Sequence, residues 1–199
     1  PEYVTSVIRR AIERQRLEQE NFRLKEAVSI YKITEAMARS LSLDTILDMV
    51  LEATLVEAGA DVATLTLKNL QTGEFVERTR KYSKNAQTDL NWYGGHSGVG
   101  ELNLSAIVEQ HRQERPLLAH GIRALRYFAE PPKDKRLVSF SSIPLKVNDN
   151  MIGMLNAYSY TRDYKFSEGH RRLLQVLASR AAASIENARL YEELVQSND

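Results

Sequence analysis

The feature that most constrains this chain is an uninterrupted stretch, residues 2–40, that contains neither glycine nor proline. It is rich in Arg, Glu, Gln, Leu and Ala, all of which have high helix propensity. Its apolar residues recur at helical rather than strand spacing. The pattern therefore predicts one long helix at the start of the chain.

A seam of residues runs along this predicted helix at alternating steps of four and three. Its members are Leu17, Asn21, Leu24, Val28, Tyr31 and Ala38. This spacing favours a two-stranded coiled coil, in which Asn21 at a core position fixes the register. Glu35 interrupts the seam, so the coil is predicted to end there. The alternative is an amphipathic helix that docks on its own domain.

The remainder of the chain alternates between periodic segments and turn signals. The segments are a helix over 44–58 capped by Ser42, strands at 62–67 and 74–82, a loop over 83–101, a helix over 104–114, a strand at 116–119, an irregular stretch over 120–136, two strands joined at Asn148-Asp149-Asn150, and a helix from Ser167 to about 196. Pro144 cannot donate to a ladder and is expected at a bulge or strand margin. The order predicts an α+β fold with an antiparallel sheet and helices mainly on one face.

Composition excludes several classes of function. The chain has no cysteine, which removes disulfides, thiolate metal sites and thiol catalysis. A formal net charge of +1 without blocks of like charge argues against a nucleic-acid partner. Neither a secretory signal nor a bilayer-length apolar run is present, so we expect a cytoplasmic protein without membrane insertion. Because the chain begins at Pro1, we interpret it as part of a larger protein.

No catalytic or metal motif is complete. The run from Gly95 to Gly100 has the glycine spacing of a phosphate-binding loop, but Glu101 stands where the motif needs lysine. His170 opens a helix, as a phosphoaccepting histidine would, yet it lacks the acidic neighbour and following proline, so we interpret it as a cap. No serine lies in a Gly-x-Ser-x-Gly elbow. The sequence therefore predicts no enzyme in these residues. The histidines, none spaced as metal ligands, are His96, His111, His120 and His170.

Cations and aromatics gather in the loops between residues 83 and 136. The cations are Arg112, Arg115, Arg123, Arg126, Lys133, Lys135 and Arg136. Trp92, Tyr93, Tyr127 and Phe128 lie in or beside the same loops. Such a combination over a sheet suits a small-molecule pocket. The alternative is that the cations are solvated and the aromatics close a core edge.

The two ends of the chain resemble one family. Ser142-Ile143-Pro144-Leu145 and Ile152-Gly153-Met154-Leu155-Asn156 resemble the last hairpin of GAF domains, small sensory modules of bacterial signalling proteins. The segment 173–194 is similar to that family's terminal helix, and 33–51 is similar to its opening helices. The resemblance spans roughly 30–194 and is weak over 83–136. It implies a GAF-like antiparallel sheet flanked by long coiled-coil helices.

The first residues resemble a second family. Pro1 to Arg14 is similar to the final helix of a response-regulator receiver domain. The implied arrangement is a receiver helix and linker over 1–30, a GAF domain over 31–190, and an output linker from 191 to 199. A histidine kinase, a cyclic-dinucleotide enzyme or a transcription-factor domain would suit the output.

These resemblances imply a regulatory, ligand-sensing and dimerisation module in a two-component phosphorelay protein. The alternative is a degenerate GAF domain that binds nothing and only transmits movement between receiver and output. Covalent tetrapyrrole attachment and thiol-based reduction, which some relatives perform through cysteine, are excluded, and no cofactor is expected. Cyclic nucleotides are not favoured, because the pattern of residues found in relatives that bind them is not evident.

Two sets of interaction residues complete the prediction. A small anionic ligand is expected between the sheet and the 83–136 segment, held by Trp92, Tyr93, Arg123, Tyr127, Phe128, Ser139 and Ser141. A parallel homodimer is expected from Leu17, Asn21, Leu24 and Val28 on the first helix. A similar spacing on the last helix adds Leu177, Ala181, Ser184, Ala188, Tyr191 and Val195.

Overall fold

The computed structural model of the chain describes residues 2–86, 100–113, 117–131, 137–160 and 165–197, with the side chains of all of these except 2–5, 22, 26 and 197. The predicted long helix forms as α1, Glu2–Arg39. The other helices are α2 (Leu43–Glu57), α3 (Leu104–Arg112) and α4 (Glu168–Ser197). The strands are β1 (Val62–Lys68), β2 (Phe75–Tyr82), β3 (Glu101–Leu102), β4 (Leu117–His120), β5 (Phe128–Glu130), β6 (Ser139–Val147) and β7 (Asn150–Ser159).

Five of the strands form one antiparallel sheet in the order β2-β1-β7-β6-β4. This confirms the predicted α+β class and the antiparallel pairing. Strands β3 and β5 form a separate two-stranded ribbon that the sequence did not predict. They are two and three residues long, which is too short for an alternating pattern to be recognised.

The two faces of the sheet carry different layers. Alternate side chains of a strand point to opposite faces. On β7, Leu155 and Ala157 join the core formed with α1, α2 and α4. Met154 and Tyr158 join a second core formed with α3, the ribbon and two 3-10 turns over Gly121–Arg123 and Leu125–Tyr127. Three of the four described α-helices, α1, α2 and α4, therefore lie on one face, as predicted.

Small residues bring α4 close to the sheet. Ala178, Ala181, Ala182 and Ala188 are fully buried, and their short side chains let the helix axis approach β6 and α2. The same placement corrects the predicted dimer seam for four residues: Leu177, Ala181, Ser184 and Ala188 lie in the chain's own core. Over a few turns, the 3.5-residue repeat of a coiled coil cannot be separated from the 3.6-residue repeat of a docked helix. Tyr191, beyond that core, remains 47% exposed.

The first helix packs on the domain only near its end. Ile30, Ile33 and Met37 contact the helical core, and the Ser29 hydroxyl donates to Glu57. Every described side chain from 6 to 28 is exposed, Leu24 by 59%. The alternative of a docked helix therefore applies to the last turns of α1, while the predicted seam stays uncovered in the single chain.

The β6–β7 hairpin forms at the predicted turn. Asn148 and Asp149 adopt positive φ values of 47° and 65°, the left-handed conformation that their side chains tolerate. Pro144 lies within β6, next to a register shift between Leu145 and Lys146. Its missing N–H is therefore placed beside a ladder irregularity, as predicted.

We predict that Gly153→Ala destabilises the fold by about 1–3 kcal/mol or more. A Cβ at Gly153 would lie 2.3 Å from the backbone oxygen of Thr66 on the neighbouring strand, and backbone cannot yield as a flexible side chain can. Denaturant unfolding of both proteins measures the change. The control is Gly169→Ala in the first turn of α4, where the nearest atom is 3.3 Å away and alanine is the better helix former. Equal effects of the two substitutions would contradict the close-approach argument.

Candidate functional site

The sheet face opposite the helical layer carries a cluster of aromatic rings. The 3-10 turns place Tyr127 and Phe128 over the sheet, where their rings meet Phe140 and Tyr158. Tyr127 stacks on Phe140 at 5.7 Å between centroids, and Phe128 meets Tyr158 edge-on at 5.5 Å. Such offset and edge-to-face pairs are the favoured ring geometries. We call these four residues the aromatic cluster.

A chain of hydrogen bonds runs across the same face. The Ser142 hydroxyl donates to Oδ1 of Asn156 over 2.6 Å, and Nδ2 of Asn156 donates to the hydroxyls of Thr64 and Thr66 over 3.1 and 3.4 Å. Nε2 of His111 lies 2.8 Å from the Ser142 oxygen. Because the single Ser142 proton is already donated to Asn156, His111 must donate its Nε2 proton to Ser142. All five residues are buried, so α3, β1, β6 and β7 are joined by one polar network.

An ion pair continues this face onto β2. The Arg80 guanidinium donates to both carboxylate oxygens of Glu77, over 2.7 and 2.8 Å. The two residues are three apart, so in a regular strand they would face opposite ways. A bulge in β2, opposite Leu65 and Thr66 of β1, adds Arg78 as an extra residue with no position opposite it in the ladder, and this restores Glu77 and Arg80 to one face.

The electrostatics of this pair depend on its surroundings. Burial opposes the charge on Arg80, but the hydrogen bonds and charge of Glu77, with Tyr158 and Tyr82 nearby, raise the pKa of the guanidinium above its usual value. Arg80 is therefore a permanent cation whose charge is balanced by Glu77. Together the two groups add polar character to this face without adding net charge.

The Tyr158 hydroxyl is the most exceptional group on this face. It is buried and has no hydrogen-bond partner among the described residues. Burial raises the pKa of Tyr158 well above its ordinary value, so the group keeps its proton and remains a donor. Leaving a buried donor unsatisfied costs about 1–3 kcal/mol, and native proteins rarely do so. The hydroxyl therefore marks a position where an acceptor from outside the described residues would be stabilised.

The structure separates the residues that the sequence placed in one pocket. Tyr127 and Phe128 lie on this face, whereas Trp92 and Tyr93 lie outside the described residues. Ser139 and Ser141 point together, as expected from strand alternation, but toward the helical face. The Ser139 hydroxyl accepts from the Phe166 N–H over 3.1 Å, and Ser141 donates to the Leu117 carbonyl over 3.1 Å. Their placement with the aromatics is corrected: Ser142, which follows Ser141 in β6, lies on the face of the aromatic cluster.

The cations of the loop segment do not line this face where they are described. Arg123 is exposed while Tyr127 is buried, because two 3-10 turns replace the α-helix that would align positions four apart. The Arg126 guanidinium lies 5.2 Å above the Tyr127 ring, and Arg112 is exposed beside Glu109. Four further predicted cations lie outside the described residues: Arg115, Lys133, Lys135 and Arg136.

Sequence reasoning missed the polar residues that this face does contain. Ser142 and Asn156 stood inside apolar strands, and a polar residue at an inward position was the available signal. Arg80 and Glu77 gave no such signal, because the bulge that aligns them leaves no mark in the sequence pattern. Metal binding finds no support here, since the described residues hold no group of three or more metal-ligating side chains. Likewise, none of the helices in the described ranges is both long and apolar enough to cross a bilayer.

Comparison with known proteins agrees with the architecture. A family model described as a GAF domain matches residues 40–186. The GAF domain of a phosphoenolpyruvate-protein phosphotransferase from Coxiella burnetii has a TM-score of 0.65 at 18% identity, covering 85% of this chain and 98% of that chain. The corresponding Acinetobacter domain has a TM-score of 0.61 at 18% identity, with 85% and 96% covered.

A third structure covers a larger share of this chain. It is the GAF domain of a protein named as a sensor histidine kinase from Pseudomonas syringae pv. tomato, with a TM-score of 0.58 at 16% identity, covering 92% of this chain and 98% of that chain. At these identities the likeness establishes the fold. A search among curated proteins returned no match.

We predict that Asn156→Ala lowers the free energy of unfolding by about 2–4 kcal/mol, because it leaves Ser142 and two threonines unsatisfied around a small cavity. Asn187→Ala, at an exposed position of α4, is the matched control and should change stability by less than about 0.5 kcal/mol. Urea titrations of both variants provide the comparison. A loss below about 1 kcal/mol for Asn156→Ala would show that the polar network contributes little to the fold.

Proposed function

The chain belongs to the GAF domain family of regulatory sensing domains, and we propose that it senses a small polar molecule bound between the sheet and the aromatic cluster. The observation that carries this proposal is the buried Tyr158 hydroxyl, a donor without a described acceptor, beside the Arg80–Glu77 pair. Apolar rings with a few convergent polar groups are the usual composition of a small-molecule site.

The described groups favour a ligand that carries at least one hydrogen-bond acceptor. Tyr158 offers its proton, and the guanidinium of Arg80 adds further donors nearby. Because Glu77 neutralises Arg80, the described part of the site has no net positive charge. The predicted anionic character of the ligand therefore depends on Arg123 and on cations outside the described residues, and it stays a prediction.

A second candidate function is a domain that binds nothing and only transmits conformational change. The packing of the aromatic cluster favours it, since four rings already contact one another over the sheet. The hydrogen-bond network from His111 to Thr66 is also internally paired. Both observations describe a face that can be stable without a ligand.

We further propose that this domain works inside a cytoplasmic two-component protein. Residues 1–30 would provide the last receiver helix and a linker, 31–190 the sensing domain, and 191–199 the start of an output linker. The similar structure from a sensor histidine kinase supports this context. The uncovered seam of α1 supports a parallel homodimer, in which a signal would travel along paired helices. This fragment would act as a regulator, without catalysis or a cofactor.

We predict that Tyr158→Phe reduces ligand affinity about tenfold while leaving the unliganded protein as stable as before, or about 1 kcal/mol more stable. The substitution keeps the ring packing and removes only the unsatisfied hydroxyl. A thermal-shift screen of organic acids, amino acids and nucleotides identifies a ligand, and a ligand at a hundred times its Kd should add about 2.7 kcal/mol of stability. Tyr191→Phe, on the exposed end of α4, is the control.

The outcomes separate the two candidate functions. Stabilisation that weakens in Tyr158→Phe and not in Tyr191→Phe supports the site. Equal stabilisation of all three proteins would place the ligand elsewhere, and a screen without any stabilising compound would favour the transmitter. Arg123→Ala tests the anionic prediction, because only a ligand that Arg123 contacts should lose affinity in that variant.

We predict that the double substitution of Leu24 and Val28 by glutamate converts a dimer into a monomer. Both positions lie in the uncovered seam, and paired carboxylates at core positions repel across a parallel coil. Light scattering coupled to size-exclusion chromatography measures the mass. Ile122→Glu, at a position 84% exposed and far along the chain from α1, is the control. A monomeric wild-type protein, or a dimer that survives both glutamates, would rule out this interface.

A further inference from the structure

A pocket lies on the opposite side of the sheet from the aromatic cluster. It is formed where the β1–β2 hairpin meets the first residue of α2 and the late part of α4, and it has a volume of about 480 Å³. This volume lies in the range of small-molecule sites. Its apolar wall consists of Leu43, Leu67, Leu70 and Val76.

The rest of the lining of this hairpin pocket is polar: the two amides Asn69 and Gln71, and the three cations Lys68, Arg78 and Arg189. No carboxylate lines the described pocket, and none of the three cations forms an ion pair with a carboxylate in the described part of the chain. Elsewhere in the domain, Arg80 and Arg171 do form such ion pairs, with Glu77 and Glu168. The concentration of unpaired positive charge at one concave site therefore favours an anion.

Two features of the backbone and side chains direct these cations into the pocket. Arg78 is the extra residue of the bulge in β2, and it lies two positions after Val76, on the same side of the strand as Val76 and Leu67. Arg189 is held by one nitrogen, since Nη2 donates to the Lys68 carbonyl over 3.3 Å. Its Nη1 is buried and has no partner among the described residues. A desolvated guanidinium nitrogen without an acceptor is costly, and a bound carboxylate or phosphate would satisfy it.

We propose that this hairpin pocket binds a small organic anion, with one carboxylate or phosphate group and a short apolar body. The acidic group would lie between Arg78 and Arg189, where two guanidinium groups can each donate to it. The apolar body would cover Leu70 and Val76, whose side chains are 67% and 52% exposed. This site is separate from the proposed ligand site beside Tyr158 and does not depend on it.

The position of Arg189 gives the pocket a regulatory consequence. Arg189 follows Ala188, the last buried residue of α4 in the helical core, and connects that helix to the end of β1. An anion that bridges Arg189 to Arg78 on β2 would fasten α4 to the hairpin just before the helix leaves the domain. Binding would therefore restrict the movement of the exposed end of α4.

The test uses hexanoate and acetate, which share a carboxylate and differ in apolar length. Amide chemical-shift titrations of the full chain should show saturable changes at Lys68, Arg78 and Arg189. Hexanoate should bind more tightly, by about fourfold for each methylene that is buried. Arg78→Gln and Arg189→Gln should each lower hexanoate affinity by at least about tenfold. Arg180→Gln, an exposed arginine of the same helix, is the control and should bind as the wild type does.

Three outcomes would overturn the proposal. The first is that the amide chemical shifts of Lys68, Arg78 and Arg189 do not change on titration. The second is that acetate and hexanoate change them equally, and the third is that Arg78→Gln and Arg189→Gln both bind hexanoate as the wild type does. Size-exclusion chromatography of the same variants separates a free anion from a protein carboxylate. If Arg78→Gln or Arg189→Gln dissociates an oligomer, the occupant is a side chain of another copy and the small-anion proposal fails. The ligand site proposed beside Tyr158 is tested separately by Tyr158→Phe, which leaves the hairpin pocket intact. A negative result for the hairpin pocket therefore does not contradict that site.

Discussion

Burial of β7 on both of its faces is the constraint from which the rest of the structure follows. The strand lies between β1 and β6, with the helical layer on one side and the aromatic cluster on the other. Each of its positions must therefore fit a close neighbour. Gly153 gives room to the β1 backbone, Asn156 satisfies hydroxyls from two strands, and Tyr158 supports the rings above it. The neighbouring strands β1 and β6 also contribute side chains to both layers, so a change on one face of these three strands is transmitted to the other face through their backbones.

The sequence predicts the fold well where local pattern and tertiary packing agree. The long first helix, the hairpin at Asn148 and the final alanine-rich helix each carry a strong local signal that the structure confirms. The resemblance of the two ends to GAF domains, which the match over residues 40–186 confirms, also predicted how these elements are arranged in the fold. Short elements such as β3 and the 3-10 turns fall below the length at which periodicity is informative.

The candidate site was less predictable, for reasons that are geometrical. Strand alternation correctly placed Ser139 and Ser141 on the same face of β6. It could not say which face the aromatic cluster covers, and that face carries the next residue, Ser142. Helical spacing assumed 3.6 residues per turn for Arg123 and Tyr127, where the chain uses three. The pairing of Arg80 with Glu77 requires a bulge, and the burial of Leu177 requires knowing which stripe of α4 meets the sheet. Each of these depends on contacts between segments that are distant in sequence.

The single extra residue in β2 has an evolutionary consequence. Because side chains alternate with a period of two, deleting Arg78 would leave Glu77 and Arg80 two residues apart in a regular ladder, still on one face. The same deletion would remove or redirect the arginine that serves the hairpin pocket. The loss of one codon would thus alter the chemistry on the hairpin-pocket side of the sheet alone, with the ion pair on the other side and the strand order intact. A deletion at this bulge therefore offers lineages of such domains a short mutational route to a changed hairpin pocket that leaves the aromatic face as it was.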